Sequence, residues 1–490
     1  MEGGFTMRCR FRCDNNKILT LILASVLFIS CCCVGLSAES TPASNSTSPL
    51  KYLWAKAYYI PPETTTEESG YFSLCEGKNG KIYIGTAAYG RNSYLVEFDP
   101  ATEEFKIVVD THKLVGLPLE PTGYAAQSKI HTRNFVGPSG TIYFGSKQGY
   151  PTPDEVKTGK IATYRGGYVM TYNPETGEAK NLGMPMPIDD PRIAKHSKSI
   201  DANTDIEGEG VIDVTADEKR GLIYVITSEH SYWMLYDMKH PEKGYRLLGP
   251  KNEKEMEKRY LLGQSNTLVD RYGRATVITA DYHIARYDPR TDKVTLDNLL
   301  LDGKPIPELI ADQIKKYKYA DGFDWRLAAD GRTAYLVFLS DLRLFKIDLG
   351  GRIGRPVKGF SVGNRIQGKN PDSRGSLCIA KDGSVYSAIR IDNDTGFGRG
   401  FLHHLVKYDP RKKQMMDLGV FAVKNPEFFD FAGSSRPHHG FHTLPDGTLT
   451  PLHYILSMIV AHDGTIYATV LYPFTLLRVT PEQIQLNSKK

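Results

Sequence analysis

Outside its first 38 residues the sequence is almost without cysteine. Five of the seven cysteines (Cys9, Cys13, Cys31, Cys32 and Cys33) fall in that stretch, leaving only Cys75 and Cys378. These two read as buried thiols acting as small apolar side chains, so the fold must rest on an apolar core rather than on disulfide staples. The sequence also lacks any run of basic residues and any interleaving of basic with aromatic side chains. Formal charge is +5, of which residues 1–38 supply two (Arg8, Arg10, Arg12 and Lys17 against Glu2 and Asp14). Nothing in this argues for a nucleic-acid partner. Also absent are a GxSxG nucleophile turn, a phosphate-binding glycine loop and a dinucleotide fingerprint. Their absence disfavours acyl-transfer and nucleotide chemistry.

The apolar run Ile18 to Ser30 is short for a membrane span. A basic stretch precedes it and small residues follow as far as Ser37-Ala38, the pattern of an export signal over residues 1–38. Met7 is an alternative start. Cys31-Cys32-Cys33 opens a lipid-anchored alternative, although Phe28-Ile29-Ser30 makes a poor lipobox. Residues 39–50, rich in Ser, Thr and Pro, read as a disordered linker. The expected location is therefore periplasmic, extracellular or at the cell surface, with a lipid as the membrane contact.

What is plentiful is Gly (45) and Tyr (29), the currency of turns and sheet edges. They recur in a fixed order. A turn glycine precedes an apolar-Tyr-apolar run at Gly80-Lys81-Ile82-Tyr83, Gly140-Thr141-Ile142-Tyr143, Gly221-Leu222-Ile223-Tyr224, Gly331-Arg332-Thr333-Ala334-Tyr335, Gly383-Ser384-Val385-Tyr386 and Gly464-Thr465-Ile466-Tyr467. Gly273-Arg274-Ala275-Thr276 is a degenerate copy. A third run then closes on a polar turn, as in Tyr172-Asn173-Pro174, Tyr287-Asp288-Pro289 and Tyr408-Asp409-Pro410. Seven strand-only units predict an all-β, seven-bladed β-propeller over residues 51–485. The last copy stops before a fourth strand, and residues 51–60 form an orphan strand before the first. That strand is expected to complete the last blade and close the ring, removing two exposed edges.

Insertions at 151–166, 184–207, 251–262, 301–320, 351–371 and 424–453 elaborate one face of such a ring. Starts of first strands and ends of second strands point to it. His131, Arg133, Lys147 and Tyr150 come from repeat 2 and His230 from repeat 3. Tyr282 and His283 come from repeat 4, Trp325 from repeat 5, and Arg374 and Arg390 from repeat 6. Each has a plain alternative: the arginines can pair with Asp372 and Asp392, and a lone histidine is usually a satisfied surface or core group. His439, His442 and His453, within one insertion, are candidate ligands for a divalent metal such as Zn, Mn or Ca. No pair among them has a recognised motif interval with a carboxylate.

The repeat unit, with KIHTRNFVG…GTIYFGSKQGYP, LHHLVKYDP and GFHTLPDGTLTPLH…YPFTLLRV, resembles the secreted bacterial propellers of streptogramin-lyase-like and gluconolactonase-like type. It resembles more weakly the propeller polysaccharide lyases of ulvan and oligogalacturonate lyase type. The resemblance implies fold far more than chemistry. Elimination on a uronic-acid sugar needs a cation on the carboxylate, a base for the C5 proton and an acid for the leaving oxygen. His131, His230, Tyr282, Arg374 and Arg390 are the expected catalytic residues. Arg133, Lys147, Tyr150, His283 and Trp325 are the expected substrate contacts. A metal-dependent hydrolase or lactonase, and a non-catalytic binder of carbohydrate or protein, are the alternatives. The expected partner is a polysaccharide or oligosaccharide, bound by a monomer.

Overall fold

The computed structural model describes residues 48–489, apart from 67–68, 120–122, 193–206, 264, 318–319 and 429–439. The export-signal expectation, most of the linker and His439 lie outside the described residues.

Five of the seven repeats turn on the same hairpin, and repeats 3 and 5 carry one residue more in it. In repeat 2, Gly140 takes φ 93° and its N–H donates to Gly137 O at 2.9 Å, while Gly137 N–H donates to Thr141 O at 2.9 Å. Repeat 6 does the same at Gly383 (φ 87°), between Ala380 and Ser384. A φ in this range is cheap only without a Cβ, which is why glycine heads the second strand. Behind the turn, Tyr83, Tyr143, Tyr224, Tyr335, Tyr386 and Tyr467 are each 5% exposed or less. Several pack on the third-strand aromatic of the next repeat. Tyr83 meets Tyr172 at 5.9 Å between ring centres, and Tyr224 meets Tyr287 and Tyr335 meets Tyr408 at 6.1 Å each. Tyr467 of the last repeat packs at 6.3 Å on Phe98 of the first.

The runs assemble into four-stranded antiparallel units. In repeat 1 these are Ser69–Glu76, Ile82–Thr86, Tyr94–Asp99 and Glu104–Asp110, and in repeat 3 Val211–Asp217, Leu222–Thr227, Trp233–Asp237 and Tyr245–Gly249. Repeats 4 and 5 are joined by a parallel pairing of Leu299–Leu301 with Val357–Gly359. The strand Tyr52–Tyr59 divides its pairing. Tyr52–Ala55 runs parallel to Val420–Val423, and Lys56–Tyr59 runs antiparallel to Thr475–Arg478. Apolar clusters fill the gaps between units, including one that joins Leu74, Ile82, Ile84 and Phe98 to Tyr467, Phe474 and Leu476.

A strand-only reading is incomplete. The 151–166 insertion contains a short helix, Pro153–Thr158, closed by a Thr152/Glu155 capping box. The last strand leads into the helix Pro481–Lys489, whose buried Asn487 donates to Tyr52 O (2.9 Å) and Leu418 O (2.6 Å). Among the described residues no helix is long and apolar enough to cross a membrane. Cys75 and Cys378 are buried and unpaired, as expected.

Candidate functional site

Bulges in the innermost strands shape the site. In repeat 2, Ile130 pairs with Ser146 and Phe135 with Tyr143, so four residues (131–134) oppose two. In repeat 1, Ser69 pairs with Thr86 and Leu74 with Ile84, so 70–73 oppose one residue. A bulge leaves its extra residues unpaired and re-aims their side chains. Here those residues include Tyr71 and Phe72, and His131 and Arg133. Tyr71 takes φ 66°, a strained value for a residue with a large side chain. The innermost strand of repeat 2 is therefore split into Lys129–Ile130 and Phe135–Val136.

His131 sits between these two bulges. Its ring stacks on Tyr71 (4.6 Å, 30°) and meets the edge of Phe72 (5.7 Å, 79°). Burial, then the charges of Lys147 and Lys129, hold its imidazole neutral, well below the ordinary histidine range. Its Nδ1 is buried without a hydrogen-bond partner. Lys129 lies beside Lys147 in register and directs Nζ at the rings of Tyr150 (4.4 Å), Tyr89 (4.6 Å) and Tyr71 (5.4 Å). Lys147 Nζ is 3.2 Å from Glu229 Oε1, which also accepts from Gln148 and Ser228 at 3.0 Å. Next to Glu229, His230 Nδ1 lies 2.6 Å from Glu209 Oε1, and its ring stacks on Tyr232. Burial alone would lower the pKa of His230, but the Glu209 carboxylate raises it.

The arginines of repeat 6 form the other half. Arg374 and Arg390 hold their guanidinium carbons 4.1 and 4.2 Å from the ring centre of Tyr454. Arg390 also lies 4.3 Å from the Phe401 ring centre. Both arginines approach Asp372 Oδ2, at 3.4 and 3.7 Å. Burial raises the Asp372 carboxyl despite them. The pairing alternative for these arginines is thus real, but one carboxylate serves two guanidiniums. Phe72 links the halves: it touches His131, and a Cβ on Gly375 would lie 2.3 Å from its ring. His131, Lys147 and Tyr150 thus gather around Lys129, and Phe72 reaches from them to the backbone next to Arg374.

Other expected residues lie elsewhere. Trp325 is fully buried, donates Nε1–H to Asn266 O at 3.0 Å and packs among Phe323, Leu336 and Phe345. Strand alternation sends Asp324 and Arg326 inward and Trp325 into the core, so the expected ligand contact is a packing residue. Arg133 turns into the central channel, 3.3 Å from Asp324, with Phe72 over its guanidinium at 4.4 Å. Tyr282 donates to Asp321 at 3.2 Å and packs on the core of repeats 4 and 5. Burial, then Asp321, pushes its hydroxyl up to about 12, a poor setting for a catalytic base. His283 pairs with Asp281 at 3.2 Å. His442 lies on the strand Phe441–Thr443, and the His453 ring meets Tyr472 at 5.0 Å. Among the described residues no group of three or more His, Cys, Asp or Glu side chains is placed to hold a metal ion.

Tyr71, Phe72, Lys129 and Tyr454 escaped the sequence reading, which looked for polar residues at strand ends. An uninterrupted Tyr-Phe pair opening a first strand was the available signal.

No family model matches the chain, and no curated protein matches it. Among solved structures it is similar to a streptogramin B lyase (10% identity, TM-score 0.45, covering 87% of this chain and 97% of that one). It is also similar to the extracellular domain of a hybrid two-component system from Bacteroides thetaiotaomicron (13%, 0.45, covering 90% and 42%). A third is the β-propeller domain of Cps50 (Swd1) from Myceliophteria thermophila (9%, 0.45, covering 84% and 96%). By its own repeated four-stranded sheets the chain is a β-propeller, and streptogramin-lyase-like structures stand among those it resembles.

Proposed function

We propose that the chain is an exported seven-bladed propeller, its ring closed by Tyr52–Tyr59, that cleaves an acidic polysaccharide by β-elimination. The observations that carry this reading are the pair Arg374 and Arg390 on Tyr454, and Phe72, which packs beside Gly375 on one side and on a neutral His131 on the other. Two guanidiniums with one carboxylate between them suit a uronate carboxylate, and the flanking rings suit a sugar face. Bound there, the substrate carboxylate would be neutralised, which favours loss of the C5 proton to the His131 imidazole. The C5–H electron pair then forms the C4–C5 double bond as the C4–O bond breaks. Tyr71, stacked on His131, carries a hydroxyl to supply a proton to the leaving oxygen. His230, bound to Glu209, acts as support rather than as the base.

The test is incubation with a panel of uronic-acid polymers, reading ultraviolet absorbance of unsaturated products. Absorbance is expected to appear, and Arg374→Ala or Arg390→Ala should cut kcat/KM by about tenfold to a hundredfold, the loss of one charged contact. No absorbance across the panel would sink the reading. A second reading, binding without cleavage, is favoured by the burial of His131 and then by the cations around it, which make its imidazole a weak base. It predicts Arg374-dependent retention on the same polymers with no product.

A further inference from the structure

A second polar centre lies along the channel, next to the site above and sharing Phe72 with it. A cavity of about 580 Å³ runs from Glu76, Glu218 and the exposed Lys219 inward to Phe72, Arg133, Asp213, Thr267 and Arg326. At its inner end Arg133 and Arg326 share one oxygen, Asp324 Oδ1, at 3.3 and 2.7 Å. The other oxygen of Asp324 accepts Leu377 N–H at 3.0 Å, so this carboxylate is fully engaged. Asp213 Oδ2 is taken by Thr267 N–H at 2.9 Å and Thr215 Oγ1 at 3.4 Å. Burial raises the Asp213 carboxyl to about 7, against the Thr267 amide, Arg133 and Arg326, so near neutrality it carries only part of a charge.

Donors without an aligned hydrogen bond surround this centre. Neither Nη of Arg133 makes an aligned hydrogen bond, and Asn134 Nδ2 and Thr267 Oγ1 have no partner. These residues are 9%, 9% and 2% exposed, and all three line the cavity. Asn266 Oδ1 is the unpaired acceptor among them. Buried donors left unpaired are costly, and a guanidinium fork fits a planar carboxylate through two parallel bonds. We propose that the inner end of the channel is a binding site for a small carboxylate anion, held by Arg133, Asn134 and Thr267. Arg326 supplies the second positive charge. Its polar groups are distinct from those proposed to cleave polysaccharide, and it does not depend on that reading.

The test uses acetate, with acetamide as its neutral isostere and chloride as the inorganic anion, at constant ionic strength and pH 6. Thermal unfolding of the full chain should shift upward saturably with acetate, because a ligand of the folded state raises its stability. Acetamide and chloride should give no comparable shift. Arg133→Gln should abolish the response. Thr267→Val, the milder change if Arg133→Gln does not fold, should weaken acetate about tenfold, the loss of one bond to a charged group. No saturable acetate shift, an equal shift with chloride, or an unchanged response in both variants would overturn the proposal.

Discussion

Phe98 offers the sharpest test of how the chain is joined. Its ring is fully buried and meets Phe105 of its own repeat at 5.0 Å, Tyr58 of the first strand at 4.8 Å and Tyr467 of the last repeat at 6.3 Å. Truncation to alanine should cost about 3–5 kcal/mol, the usual range for a buried phenylalanine. That number alone does not say which contact matters, so the informative experiment is a double-mutant cycle. Phe98→Leu and Tyr467→Leu keep apolar volume while removing the ring pair. Urea unfolding of the two single variants and the double variant should give a coupling of about 0.5–1.5 kcal/mol, as for aromatic pairs in contact. Phe98→Leu combined with Tyr335→Leu, from the middle of the chain, should be additive to within about 0.5 kcal/mol. A Phe98–Tyr467 coupling no larger than that control would mean the two repeats do not meet in solution, and the arrangement of the ends would be wrong.

Other consequences can be measured directly. Trp325→Phe removes the bond to Asn266 O and should lower stability by about 1–3 kcal/mol in denaturant titration while leaving polysaccharide retention unchanged. Asn425 accepts Ala57 N–H and donates to Ala57 O, so Asn425→Ala should speed hydrogen exchange across residues 52–59 more than elsewhere. Asp213, ordinarily ionising near 3.8, holds its proton to about 7 when folded, while the unfolded chain has already released it. The folded state therefore binds the extra proton, and this group's contribution should make stability fall as pH rises between these values. Asp213→Asn should flatten that slope, and an unchanged slope would refute the assignment.

The scaffold was legible because its signals are local. A glycine at positive φ, a tyrosine three positions on and a polar turn after the next run recur in nearly every copy, each set by backbone sterics and strand alternation. The site was legible only in part. His131, Arg374 and Arg390 stand out by residue type, but a bulge depends on pairing register, which no single strand displays. This hid Tyr71 and Phe72 and sent Arg133 into the channel. Trp325 is different: the alternation Asp324-Trp325-Arg326 already placed the indole on the core side, and the residue type outweighed the pattern. Tyr282 stood out by residue type, whereas burial and then Asp321 set its acidity, and neither its packing nor that neighbour is visible in the local sequence.

The divided pairing of Tyr52–Tyr59 also bears on timing. Ala57 and Asn425 grip each other across 368 residues of chain. At ribosomal rates of roughly 5–20 residues per second, the first strand waits on the order of tens of seconds for its partners to be made. Throughout synthesis Leu53, Ala55 and Ala57 have no native place to hide, so this strand is where a holding chaperone would be needed most.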